Sequence, residues 1–206
     1  MGSETLKKID PDTRREAILD AAETVFLEVG FSAASMSMIA ARVGGSKGTL
    51  YNYFKNKDDL FEAYVQRHCI WQQDAINALL EGEADLVDQL RGVGRKIVEV
   101  VATGFGLRNY ILIAAEAHRA PQIGRAFFAA GPDRGTTRLA AFLEREMEAG
   151  RLRRADPLMA ARHFIGACQN YLFKARLCNA VDEPTPEEIG AEVDDAVDAF
   201  LRAYAP

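Results

Sequence analysis

Between Ser35 and Phe54 the chain has room for two short helices and nothing longer. Met36, Ile39, Ala40 and Val43 recur at the three-and-four spacing of one buried helical face. Gly44-Gly45 breaks that run, and Leu50 and Phe54 supply the apolar side of a second helix. Ser35 and Ser46 each stand where a hydroxyl can accept from the first unpaired amides of a helix. Helix, tight glycine turn, helix is the helix-turn-helix arrangement.

The flanking sequence continues in the same period. Ile18, Ala21, Ala22, Val25, Phe26 and Val29 mark a first helix over about 12–29, opened by Asp10-Pro11 and ended by Gly30. Asn56 caps a long fourth helix carrying Leu60, Phe61, Tyr64, Val65, His68 and Trp71 on one side. Further helices follow Leu86, Leu107 and Asp156-Pro157, with a kink expected at Gly131-Pro132 and a last helix after Pro184-Thr-Pro186. No alternating strand pattern is present. The expected fold is all-α with about nine helices. A flexible N-terminal arm (1–11) precedes a three-helix helix-turn-helix domain (12–56) and a larger helical C-terminal domain (57–206).

The stretch from Ser46 to Phe54 concentrates groups that reach base edges and phosphates. No acidic residue lies between Val29 and Lys57, whereas Arg42, Lys47, Lys55 and Lys57 do, in a chain of net charge −5. A patch of this kind suits a specific double-stranded DNA reader and does not suit a general DNA compactor. With the second helix in the major groove, Lys47 and Thr49 lead, and Gly48 permits close backbone approach. Asn52 shares Thr49's face, and Tyr51, Tyr53 and Lys57 suit phosphates. Ser35 and Ser46 add hydroxyl contacts to the backbone.

Other chemistry finds little support. Three cysteines, Cys69, Cys168 and Cys178, without CxxC spacing read as free thiols. His68, His118 and His163 are scattered, so no metal site is expected. No nucleophile elbow or phosphate-binding glycine loop occurs, so no catalytic residue and no cofactor is assigned. The start has no apolar leader segment and no run is long enough to span a membrane. Cytoplasmic location without membrane association is the expectation.

Residues 14–61 resemble the N-terminal domain of the TetR/AcrR family of bacterial regulators. The resemblance is carried by Gly30-Phe31, Ile39-Ala40, the Ser46–Phe54 motif and Lys57-Asp-Asp-Leu-Phe61. Residues 108–173 resemble the AefR-like C-terminal type, through Ala115-Glu116-Ala117, Pro121–Phe127, Gly131-Pro132 and Gly150–Arg153. Two departures stand out. Gly45 occupies a turn position where the family generally has valine and Val43 one where it has alanine, and Ser37 and Met38 replace charged residues.

The resemblance implies a homodimer built through the last two helices, a ligand chamber for a small and largely apolar effector, and repression of a palindromic operator. Chamber candidates are Trp71, Phe105, Tyr110, Phe128, Phe164, Cys168 and Tyr171. The rival reading is a small-molecule carrier or helical enzyme that does not act on DNA, which would leave the acid-free 29–57 segment without a purpose.

Overall fold

A computed structural model describes residues 10–206, apart from the side chains of Trp71 and Gln72. Residues 1–9 of the expected arm, and the Trp71 side chain, therefore lie outside the described residues. The chain divides into two compact units, one reaching Val65 and the other starting at Gln66. Every regular element among the described residues is helical.

In the first unit, α1 (Pro11–Ala33) starts as expected, with the Asp10 carboxylate accepting from Thr13 N at 3.4 Å and proline at its first position. Gly30 leaves the helical region at φ 76°, so the regular rod ends where the sequence indicated. Phe26 of α1 and Phe31 just past the break meet Phe61 and Tyr64 in a cluster of rings 4.7–5.9 Å apart. Phe26, Phe61 and Tyr64 are fully buried, so this cluster is the centre of the unit's core.

Helix α2 (Met36–Val43) and α3 (Lys47–Tyr51) form the anticipated pair. Gly44 N donates to Ala41 O at 3.3 Å and Gly45 N to Ala40 O at 3.1 Å, the two bonds of a Schellman stop. Gly44 takes the left-handed conformation this stop requires, at φ 70°. Helix α4 (Lys57–Leu80) begins where Asn56 Oδ1 accepts from Asp59 N at 2.8 Å.

The second unit contains α5 (Leu86–Ala102), α6 (Gly104–Ala117), α7 (Pro121–Phe128), α8 (Arg134–Glu148), α9 (Pro157–Cys168), α10 (Leu172–Leu177) and α11 (Pro186–Tyr204). The kink expected at Gly131-Pro132 is a π turn, Ala129–Asp133, that joins α7 to α8 without interrupting the rod. The wider turn accommodates Pro132, which has no N–H to contribute. Counting α7–α8 as one rod gives ten helices among the described residues, against about nine expected. The addition is α10, which is separate because the helix opened at Asp156-Pro157 stops at Cys168.

Helix α11 packs on α5 and α9, α8 packs on α9, and α6 packs on α7. A capping box, Thr185 with Glu188, sets the start of α11. No single helix among the described residues is long and apolar enough to cross a membrane.

Candidate functional site

The first candidate site is the outer face of α2 and α3. Leu50 is fully buried and fixes α3 to the core, which turns Lys47, Gly48, Tyr51 and Asn52 outward as exposed residues. Thr49 and Tyr53 are half-buried at the edges of that face. The Lys47 ammonium lies 5.9 Å from the centre of the Tyr51 ring, so the two side chains form one cationic-aromatic surface. Ser46 Oγ accepts from Thr49 N at 3.1 Å and lies 2.9 Å from Thr49 Oγ1. Ser35 Oγ caps α2 by accepting from Met38 N at 3.3 Å. Both serines thus cap helices by accepting, which does not consume the hydroxyl proton of Ser35.

Gly48 is placed differently from the turn glycines. A Cβ there would meet only Ser46 Oγ, at an ordinary 3.6 Å, and its φ lies outside the left-handed region. Nothing inside the chain demands a glycine at this exposed point, in keeping with a requirement for close approach from outside.

Two cations of the acid-free segment have internal tasks. Arg42 makes a two-pronged ion pair with Glu28, at 2.9 and 2.8 Å, which ties α2 to α1. Lys57, expected at a phosphate, instead sends its ammonium inward. Its Nζ donates to Phe31 O at 2.6 Å, Ala34 O at 2.9 Å and Ser32 O at 3.3 Å, and sits 4.4 Å from the Phe31 ring centre. Three protons on three carbonyls leave no donor for a phosphate. The reason is Gly30: by breaking α1 it exposes carbonyls that need a donor, and Lys57 supplies it.

The second candidate site is a cavity of about 460 Å³ inside the second unit, lined by residues of α4 to α9. That is the size of an ordinary small-molecule site. Of the residues expected in the chamber, Tyr110 and Phe128 line it. Tyr110 is held edge-on by Phe127 and Phe173, at 6.0 and 5.0 Å, and Phe128 is 59% exposed, which puts it at the opening.

The other described candidates sit elsewhere. Phe164 is fully buried against Phe200 at 5.4 Å, and Cys168 is fully buried in the same core, where burial first and then Glu192 push its thiol up to about 12. Tyr171 is 63% exposed, with its backbone amide bonded to Glu192. Phe105 stands edge-on behind His68, 5.1 Å away, and does not reach the lining.

Sequence reasoning missed the polar lining: His68, Gln73, Asn109, Thr136 and Gln169. The available signal was a polar residue inside an apolar helical stripe, such as Gln73 between Cys69 and Ile76. His68 is nearly buried, and desolvation, followed by the nearby Arg67 charge, lowers its pKa to about 4. It is neutral at physiological pH. Burial raises the Cys69 thiol to about 11. Among the described residues no group of His, Cys, Asp and Glu is arranged to hold a metal ion.

With these two sites in place, the likenesses to known proteins fall into order. Residues 18–64 match the domain described as bacterial regulatory proteins, tetR family. Residues 88–206 match the C-terminal domain of the AefR-like transcriptional repressors. Over 67 residues the chain is 42% identical to the HTH-type transcriptional activator FasR of Mycolicibacterium smegmatis, a match that spans 32% of this chain and 31% of FasR. The chain thus covers less than a third of the length of that relative. The solved structure of the flavonoid-responsive regulator FrrA is 32% identical, over 95% of this chain and 98% of that one, with a TM-score of 0.78. A crystal structure from Mesorhizobium loti, described as a TetR-family transcriptional regulator, superposes with a TM-score of 0.85 at 26% identity, over 95% of this chain and 98% of that one.

Proposed function

This chain belongs to the TetR family of bacterial regulatory proteins, with a C-terminal domain of the AefR-like type, and from that premise we infer that it is a homodimeric, ligand-responsive repressor of a palindromic operator. DNA binding is assigned to residues 12–56, and ligand binding and dimerisation to 57–206. The observation that carries the reading is the coexistence, in one chain, of an outward Lys47–Tyr51 face on a braced short helix and a 460 Å³ cavity in the other unit.

In this reading Lys47 and Thr49 meet base edges, and Gly48 lets the α3 backbone approach the groove. Tyr51, Asn52 and Tyr53 together with the Ser35 and Ser46 hydroxyls hold phosphates. Lys57 acts indirectly, by fixing the end of α1. Two copies pair through α9 and α11, and the outer face of α9 carries Leu158, Met159 and Gly166 in exposed positions. Two-fold symmetry then presents two α3 helices to half-sites about 34–36 Å apart or somewhat more. An effector that binds one separation of those helices better than the other shifts the population and, by reciprocity, loses affinity when operator is bound. The likeness to FrrA supports aromatic compounds as the first effector class to try. In this reading the protein acts in the cytoplasm, where its operator lies.

The test is a binding titration of the purified protein on DNA flanking its own gene, with and without candidate aromatic compounds. Sequence-dependent retention that a compound reverses is expected. Equal affinity for flanking and scrambled DNA would overturn the assignment.

A further inference from the structure

Two residues that line the cavity carry buried acceptors that the described protein leaves without a partner. Gln73 Oε1 and Asn109 Oδ1 are both shielded from solvent and have no hydrogen-bond partner among the described residues. Both residues line the cavity, and they are 8% and 1% exposed. A buried carbonyl oxygen left in this state costs about 1–3 kcal/mol, so native proteins rarely keep one without a reason.

The amide orientations are fixed by the other end of each group. Gln73 Nε2 donates to Gly131 O in the π turn at 3.0 Å, and Asn109 Nδ2 donates to Phe105 O at 2.9 Å. Turning either amide over would set oxygen against carbonyl oxygen, so nitrogen stays on the protein side. The site is also built around Gln73. A Cβ at Gly135 would lie 2.9 Å from its Nε2 and 3.5 Å from its Oε1, so only glycine leaves the amide its place without displacement.

The remaining lining sets the charge of what can enter. No Asp, Glu, Lys or Arg is among the described residues that line the cavity. His68 is neutral there, because burial holds its pKa near 4. A carboxylate or an ammonium brought into this space would be desolvated with no countercharge.

We propose that the effector is an uncharged, largely apolar molecule bearing hydroxyl or N–H donors, and that Gln73 Oε1 and Asn109 Oδ1 accept from them. This deepens the reading of the cavity as the effector site and rests on it. Phenols fit the chemistry, whereas free fatty acids, aromatic carboxylates and cationic drugs do not.

The experiment uses the full chain and three probes of one skeleton: 3,5,4′-trihydroxystilbene, its trimethyl ether, and stilbene-4-carboxylate. Affinities come from calorimetry, and release of operator DNA is followed in parallel. The phenol should bind about tenfold to a hundredfold more tightly than the ether, the range a paired buried acceptor implies. The carboxylate should bind more weakly than the phenol. In Gln73→Met and Asn109→Leu the phenol-to-ether ratio should fall toward one. Ether bulk is the same for every variant, so a collapse of the ratio reports lost acceptors and not lost space. Each variant is first checked by thermal melting, and Asn109→Leu, which removes the other acceptor, carries the test alone if Gln73→Met does not fold.

Equal affinity for phenol and ether would mean that water satisfies the two oxygens, and would overturn the proposal while leaving the cavity as the site. Tighter binding of the carboxylate would overturn it as well. No binding of any probe would remove the cavity as an effector site and the proposal with it. Donor-dependent binding without release of DNA would leave the proposal standing and defeat the regulatory reading instead.

Discussion

Replacing Lys57 by methionine separates a folding role from a DNA role in one variant. The substitution keeps most of the aliphatic stem and deletes the ammonium that serves Phe31 O, Ser32 O and Ala34 O. A hydrogen bond to a charged group contributes about 1.5–3 kcal/mol when buried, and a cation over a ring at an accessible site about 0.5–1 kcal/mol. Lys57 is half-buried, so water takes over part of the carbonyl hydration once the ammonium is gone. The longest of the three contacts, 3.3 Å to Ser32 O, adds little. A net loss of about 2–3 kcal/mol follows. At about 2–4 °C per kcal/mol for a chain of this size, the melting temperature falls by roughly 5–10 °C.

The assay is urea and thermal unfolding followed by helical circular dichroism, paired with a salt titration of DNA binding. A phosphate contact contributes about 0.9 to the salt slope. With the Lys57 ammonium occupied internally, the slope of Lys57→Met should equal that of the parent, measured well below the melting transition. A variant of parental stability whose slope drops by about one per subunit would refute the structural role and return Lys57 to the phosphate.

Lys47→Ala and Tyr51→Phe should weaken operator binding with unchanged melting, since both side chains are exposed and among the described residues serve no fold contact beyond each other; parental affinity in both would place the contact on another helix. Gly44→Ala forces a Cβ into φ 70° and should cost about 1 kcal/mol. Gly45→Ala should instead gain about 0.4–1 kcal/mol, because its Cβ would meet only the tip of the Arg14 side chain, at 2.7 Å, which can swing away; urea midpoints that rank the two substitutions the other way would reject this account. The His68 ring, neutral when folded and titrating near 4, takes up its proton at about 6.5 when unfolded. The unfolded state binds more protons between those values, so this contribution of about 3 kcal/mol is complete above pH 6.5 and is lost as pH falls toward 4. His68→Phe should flatten the stability profile across that window, and an unaltered slope would mean that the ring is solvated.

The helical rods were legible because each carries its own instructions: Asp10-Pro11, Ser35, Ser46 and Thr185 start helices, and Gly30 and Gly44 stop them. The exposed face of α2 and α3, to which DNA binding is proposed, was legible for the same reason, being made by residues close together in sequence. The cavity was not. Its walls come from six helices, and the sequence signal for a large aromatic ring is the same in a core as in a chamber. Phe164 and Cys168 entered the core because α9 packs between α8 and α11, a tertiary fact that no local pattern states. The polar residues that distinguish the cavity, Gln73 and Asn109, looked like interruptions of a stripe. Their meaning depends on Gly131, Gly135 and Phe105, which are brought to them only by folding.

The acid-free segment from Val29 to Lys57 teaches a related point about charge. Absence of acids suggested four cations for DNA, but two of the four are spent on the fold. Arg42 reaches back to Glu28, one residue outside the segment, and Lys57 closes the carbonyls that Gly30 exposes. That leaves Lys47 and Lys55 as the segment's exposed cations directed to no acidic side chain in the described contacts. A small electrostatic term makes non-specific attraction weak, in keeping with a net charge of −5. In the proposed reading, affinity then comes from contacts that require a matched groove: the Gly48 backbone, the Thr49 and serine hydroxyls, and the Tyr51 phenol. Such contacts are short-range and sensitive to base sequence and groove shape, so a face poor in free charge favours discrimination between sites over tenacity at any one of them.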